Sequence, residues 1–318
     1  MRILSIAPSR ISLFGGSSDL PGYYQKYGGM VINFAIDLFY RFEMFYDEGD
    51  SFDLDNHKGQ FNTVPYGGKQ EFVFKILDHY KIDSMHHTHF YSEYDGFVGG
   101  GLGGSASALC AIIAAISKRL NLNYSKSEIV EKAFELSPNF GGKQDQLAAV
   151  YGGANLFRFQ GDEIFIRKLN IDKILPSILL FSTGIERKDP KIQEGLKNLT
   201  QTQIDNIHEL KALTYDGLEA IEKGDIEELG KLLDKAWIYK KASNKNITNP
   251  QIDNIYNKAK QYGALGFKLL GSGGGGFFIC IVDPKDRVNF VKNMEAEGLE
   301  WFDFNLCQQG VTTRILPK

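Results

Sequence analysis

The chain has 318 residues, enough for about two domains, and its 43% hydrophobic and 24% charged residues are an ordinary balance for a folded globular protein. Its 36 basic and 39 acidic side chains leave a net charge of -3, so no basic excess points to nucleic acid or to an anionic membrane surface. Cys110, Cys280 and Cys307 are scattered and odd in number, which argues against a disulfide framework or a thiolate metal site and fits a reducing cytoplasm; no stretch has the length and apolarity of a membrane span, and residues 1–8 lack a signal core.

In chain order, residues 2–7 predict a short strand ended by Pro8. The run from Pro8 to Asp19 then sets a lone Arg10 in an apolar stretch, and a buried arginine requires a partner. Its last residues, Ser17-Ser18-Asp19, read either as a turn or as a carboxylate placed to accept hydrogen bonds from sugar hydroxyls. Residues 30–46 form a β-rich run, residues 71–80 predict a helix, and residues 86–94 alternate as a strand does. His86, His87 and His89 cluster in that strand, and a structural role is favoured for them over a metal site.

Residues 99–107 read Gly99-Gly100-Gly101-Leu102-Gly103-Gly104-Ser105-Ala106-Ser107 and run directly into helical spacing at Ala106, Leu109, Ile112, Ile113, Ile116 and Leu120. Glycines expose backbone N–H groups, and a helix N-terminus adds unpaired donors and a positive dipole end. Together they make an anion site suited to a polyphosphate. The pattern Gly99-x-Gly101-x-x-Gly104 is a formal dinucleotide fingerprint, but a second helix follows where a nucleotide-binding unit needs a strand. No lysine precedes Ser105, so a Walker A loop is absent and positive charge must come from a metal ion or from elsewhere. Ser105 reads as a helix N-cap, as a hydroxyl ligand to Mg²⁺, or as both.

Ser125 and Glu128 predict a capping box for a helix that stops before Pro138. Glu135 lies near its C-terminal end, where the dipole disfavours an acid, and this hints at another use. Gly141-Gly142-Lys143-Gln144-Asp145-Gln146 leads into an apolar helical stretch, and Asp145 reads equally as a cap or as a carboxylate that handles a hydroxyl proton. Residues 147–168 suggest two short strands around Gly161-Asp162. Past residue 172 the chain predicts a strand at Ile178–Ser182, a mostly helical stretch over 190–243 and a helix from Pro250 to Tyr262. Two strands then flank the glycine loop Gly271-Ser272-Gly273-Gly274-Gly275-Gly276, followed by a helix from Pro284 and a terminal strand. Strands and helices mix without strict alternation, which indicates an α+β class.

Three of these segments, in order, resemble the motifs of the GHMP kinase superfamily: Pro8 to Asp19, Gly101-Leu102-Gly103-Gly104-Ser105-Ala106-Ser107, and Lys268-Leu269-Leu270-Gly271-Ser272-Gly273-Gly274-Gly275-Gly276. Gly104, where that family often has Ser, and a missing proline before the glycine run are departures. Within the superfamily, Phe14-Gly15-Gly16-Ser17-Ser18-Asp19, Gly141 to Gln146, Tyr151 to Asn155 and Trp237 to Lys241 are most similar to the heptose 7-phosphate kinases. The resemblance implies a two-domain fold, with a ribosomal protein S5 domain 2-like ATP-binding domain over 1–170 and a ferredoxin-like domain over 171–318. It implies ATP and Mg²⁺ as cofactors, a small-molecule sugar phosphate as partner, and a monomer or homodimer in the cytoplasm. The reaction implied is phosphorylation at the anomeric hydroxyl, heptose 7-phosphate to heptose 1,7-bisphosphate, on the way to a nucleotide-activated heptose for surface polysaccharide. A free-sugar kinase of the fucokinase or galactokinase kind and a non-catalytic binding protein of the same fold are the alternatives.

Residue by residue, the resemblance makes Asp145 the catalytic carboxylate and puts Arg10 beside the transferring group. N–H groups in the 99–107 run would cradle the ATP phosphates, and Ser105 and Glu135 would hold Mg²⁺. The substrate would meet Gly15, Gly16, Ser17, Ser18, Asp19, Gly142, Lys143, Gln144, Gly271, Ser272, Gly273, Gly274 and Gly275. Arg187, Lys188, Lys143, Lys240 and Lys241 are candidates for its phosphate.

Overall fold

The structure, a computed structural model, describes residues 2–46, 71–82, 88–97, 99–137, 141–186 and 198–317. The first half holds β1 (Arg2–Phe14), α1 (Pro21–Tyr27), β2 (Gly29–Tyr46), α2 (Glu71–His79), β3 (Thr88–Tyr94), α3 (Gly104–Arg119), α4 (Lys126–Glu135), α5 (Gln144–Tyr151), β4 (Ala154–Gln160) and β5 (Glu163–Leu169). The second holds β6 (Ile178–Ser182), α6 (Gln201–Lys223), α7 (Ile226–Ser243), α8 (Pro250–Gln261), β7 (Gly266–Leu269), β8 (Phe277–Ile281), α9 (Arg287–Ala296), β9 (Glu300–Phe302) and β10 (Thr312–Leu316). This is the expected α+β mixture. Two antiparallel sheets organise it, one in the order β10-β1-β2-β4-β5 with β3 also on β2, the other in the order β7-β8-β6-β9. The last strand thus returns to the first sheet, pairing Arg2 with Leu316.

Pro8 does not end the first strand, as residues 2–7 alone suggest. β1 runs on to Phe14, and its register against β2 shifts between Pro8 and Ser9. A proline lacks the N–H that a ladder needs, and an irregularity in the pairing is where a strand tolerates one. Likewise the start of residues 147–168 is helical, because α5 extends to Tyr151 before the two expected strands begin. His86 and His87 lie outside the described residues, as does part of the stretch predicted helical over 190–243.

The run of Ala, Ile, Leu and Cys in α3 is apolar on nearly every side, and the helix is buried from Ala106 to Ser117. It packs with Phe42 of β2 and Phe157 and Phe159 of β4 in one core. A second core joins the halves: Ile11, Leu13 and Phe14 of β1 meet Leu213 of α6, Leu233 of α7 and Phe277 and Ile279 of β8. The end of β1 is therefore buried where its sheet meets the second sheet, and the glycine-rich segments converge on it.

Candidate active site

Arg10 is 4% exposed, so its charge requires an anion. Its Nε and Nη2 both lie 2.7 Å from Oδ1 of Asp145, and Nη1 donates to the Gly101 carbonyl at 2.6 Å. The lone arginine of the first segment, the carboxylate of the 141–146 run and the glycine run thus meet in one place. Both guanidinium bonds fall on Oδ1. Oδ2 has no protein hydrogen bond among the described residues, and the Asp145 side chain keeps 29% of its exposure. Asp145 is not a helix cap: α5 starts from Lys143, and Asp145 sits in its first turn, where a negative charge is favoured.

The cup beside this pair is built by left-handed glycines. Gly99, Gly101 and Gly103 have φ of 76°, 89° and 75°. Gly103 is the N-cap of α3, so Ser105 is not the cap but a residue of the first helical turn. A methyl group on Gly103 would come within 3.3 Å of Arg10 Cγ and 3.4 Å of Asp145 Cγ, which fixes how closely cup and ion pair approach. The amides of Gly100 and Ser107 are not available to phosphate, because they donate to the Phe97 and Gly103 carbonyls. Among the described residues, the stretch 101–106 keeps its donors, at the positive end of the helix. The side chain of Leu102 is buried, and the Ser107 hydroxyl donates to the Pro8 carbonyl at 2.7 Å, so neither side chain lines the cup. The Gly104 departure has a partner: a methyl there would meet the Tyr94 ring at 2.6 Å, and the Tyr94 hydroxyl lies 3.1 Å from Ser9 Oγ, next to Arg10.

Asp19 is 1% exposed, and both its oxygens are occupied: Oδ2 accepts from the Gln144 amide and Oδ1 from Gln144 Nε2, each at 3.0 Å. Gln144 in turn accepts from Ser12 Oγ at 2.9 Å. Asp19 therefore orients Gln144 and the start of α5, rather than presenting an open carboxylate to a sugar. Burial is the main cause that raises its pKa to about 6, against the lowering effect of the Gln144 amide. Ser18 closes its own turn, donating to the Gly15 and Met30 carbonyls, and Ser17 takes the left-handed conformation with φ of 73°. Gly16 packs near Ser12 Oγ and Gln144 Nε2, and Gly142 lies directly against Asp19. These segments form one wall, in which Gln144 links the first loop to the ion pair.

Among the described residues, the cations expected to hold a substrate phosphate are employed otherwise. Lys143 donates to both oxygens of Glu131, at 2.8 and 2.7 Å. Lys240 donates to the carbonyls of Leu269 and Gly271, at 2.6 and 2.7 Å, and so fixes the start of the loop 271–276. Lys241 lies over the rings of Trp237 and Tyr256. Arg187 and Lys188 lie outside the described residues. In the loop itself Gly271, Gly273, Gly274 and Gly275 have φ between 66° and 145°. Gly273 rests against Ile247 and Gly275 against Ile185.

The oxygen donors expected for Mg²⁺ are not gathered. Ser105 stands beside the cup, but the Glu135 side chain is 55% exposed and pairs with Lys132 of its own helix at 2.8 Å. No hydrogen bond or ion pair joins Ser105 to Glu135 among the described residues, and no cluster of three or more His, Cys, Asp or Glu side chains forms there. Ser9, Ser12, Tyr94, Glu131 and Lys268 also enter the site's structure; Ser9, Ser12 and Lys268 lie inside the motif segments, but the pattern assigns none of the five a role. Lys268 alone carries a readable signal, the one that Arg10 carries: a single cation inside an apolar strand.

Comparison with known proteins fits this geometry. The family of GHMP kinases N terminal domains matches residues 71–153, and that of GHMP kinases C terminal regions matches residues 218–298. A D-glycero-alpha-D-manno-heptose 7-phosphate kinase from Campylobacter jejuni is 29% identical, over 96% of each chain. An L-fucokinase/L-fucose-1-P guanylyltransferase from Bacteroides fragilis is also 29% identical, over 61% of this chain and 22% of that longer protein. The crystal structure of a D-glycero-D-manno-heptose 1-phosphate kinase from Bacteroides thetaiotaomicron superposes with a TM-score of 0.76 at 23% identity, covering 99% of this chain and 100% of that one, a likeness of fold.

Proposed function

Since the chain belongs to the GHMP kinases and is a sugar kinase, we propose that it transfers a phosphoryl group from ATP to the anomeric hydroxyl of a sugar phosphate, D-glycero-D-manno-heptose 7-phosphate, giving the 1,7-bisphosphate. The observation that carries the reading is the Arg10–Asp145 pair at the rim of the glycine cup, with Oδ2 free of hydrogen bonds among the described residues. The end-to-end similarity to the Campylobacter jejuni heptose 7-phosphate kinase supports the choice of sugar.

Phosphoryl transfer needs little covalent help from a protein, so positioning and charge neutralisation dominate. The amides of 101–106 receive the phosphates at the positive end of α3. Arg10, locked in place by Oδ1 of Asp145 and by the Gly101 carbonyl, offsets charge that develops on the transferred group. Oδ2 of Asp145 accepts the hydrogen bond of the attacking hydroxyl and orients it. An anomeric hydroxyl is more acidic than an ordinary alcohol, so a strong base is not required. Mg²⁺ would supply further neutralisation of the phosphates. Ser105 fits as its hydroxyl ligand, whereas Glu135, held by Lys132, does not fit as it stands.

A free-sugar kinase is the second reading. It draws on the similarity to the fucokinase and on Lys143 and Lys240, which are tied to Glu131 and to backbone carbonyls rather than free for a phosphate. An ADP-coupled screen of free and phosphorylated heptoses, hexoses and 6-deoxyhexoses separates the two. Turnover concentrated on the 7-phosphorylated heptose supports the first reading; equal turnover of the neutral sugar contradicts it.

A further inference from the structure

Arg10, Asp19 and Lys268 are the buried charged side chains among the described residues. The first two meet groups of the site directly, but Lys268 belongs to the other sheet. It lies on β7, and its ammonium crosses to β1, donating to the Ser12 carbonyl at 2.7 Å and the Leu13 carbonyl at 2.6 Å. No acid balances it among the described residues. Burial, and then Arg10, lower its pKa to about 7. A cation buried against carbonyls alone is expensive, and an apolar side chain of the same length would usually pack there at no loss. The position of its partners accounts for the cost. Ser12 holds Gln144, and Arg10, two residues earlier, holds Asp145. Three residues beyond Lys268 the glycine loop 271–276 begins, its start held by Lys240. Lys268 therefore ties the strand that leads into the loop to the end of β1, and Lys240 fixes the loop's start.

Resting on the kinase reading above, we propose that Lys268 is a positioning residue for phosphoryl transfer, which pins the glycine loop 271–276 in register with the Arg10–Asp145 pair. The test compares the intact wild-type chain with K268M, which keeps the length of the side chain and removes its donors, and with K268Q, which keeps an N–H donor and removes the charge. K268M is expected to lose roughly 10- to 100-fold in kcat, the scale of an ångström-sized misplacement, with the KM for ATP changed far less. K268Q is expected to fall between. Hydrogen exchange without ligands is expected to quicken at residues 271–276 in K268M and to stay unchanged in α3 and α4. Wild-type kcat in folded K268M, or unaltered exchange in the loop, overturns the pin. If K268M is not recovered folded, the same two readouts on K268Q decide. A wild-type chain that phosphorylates no sugar contradicts the kinase reading instead, and the exchange measurement still judges the pin.

Discussion

A guanidinium that loses its water on folding must recover a negative partner, and at Arg10 that partner is Asp145. The pair is therefore structural, and in the proposed reaction it is chemical as well. Asp145→Asn keeps the shape of the side chain and removes its charge. It is expected to lower turnover by about 10²- to 10⁴-fold, the range of a lost general base, and to lower stability by about 1–3 kcal/mol because Arg10 keeps only part of its bonding. ATP affinity, which the proposed reaction assigns to the amide cup, should be largely kept; a variant with normal turnover would refute the assignment of Asp145. Asp19 makes a separate prediction in pH. Its pKa is raised to about 6 from an ordinary 3.8, so the fold favours the neutral form. The stability this contributes is complete below 3.8 and is lost as the pH rises through about 6. In Asp19→Asn that loss is absent. The difference in melting temperature between wild type and Asp19→Asn should shift in favour of the variant from pH 4 to 7, and a constant difference would contradict a buried, titrating Asp19.

At the scale of elements, the junction of β3, the glycine run and α3 decides whether the cup forms. Tyr94 ends β3 with its ring packed where a side chain on Gly104 would project. Gly104→Ala should therefore overpack the junction, at about 1–3 kcal/mol. Tyr94→Leu in the same chain should recover much of that loss by vacating the space. Denaturant midpoints of the two single variants and the double one test this, and additive losses would show that the two positions do not meet. Such a contact could not be read from the sequence, because it joins a strand residue to the helix start across a turn. Within elements the sequence was more informative. The capping box of Ser125 and Glu128 is present at α4, since cap chemistry is local. The boundary at Pro8 failed because strand ends depend on the partner strand, and β2 accommodates the proline at a register shift.

The whole molecule places segments far apart in sequence around one strand end, and there the limits of the sequence are clearest. Arg10 was legible as a buried cation in need of an anion, and Asp145 as a carboxylate with two possible duties; only the folded chain joins them, 135 residues apart. Asp19 reads from the sequence as a sugar ligand, but its burial against Gly142 and Gln144 gives it to the protein itself. Lys143 and Lys240 look like phosphate ligands until Glu131 and the loop carbonyls claim them. Local pattern finds the donors of a site, whereas long-range packing decides which remain free. The two sheets contribute unequally. The first carries Arg10 on β1, to which α5 brings Asp145 and the start of α3 brings the cup, and the second supplies the loop that Lys268 and Lys240 hold in place.

The most direct measurement follows the reaction product by phosphorus and carbon NMR after incubation of the protein with ATP, Mg²⁺ and D-glycero-D-manno-heptose 7-phosphate. The account predicts ADP and a bisphosphate whose new phosphorus couples to C1 of the sugar, formed at least about 100-fold more slowly by the Asp145→Asn chain. A new phosphate on any other carbon, or C1 phosphorylation that persists undiminished without the Asp145 carboxylate, would contradict it.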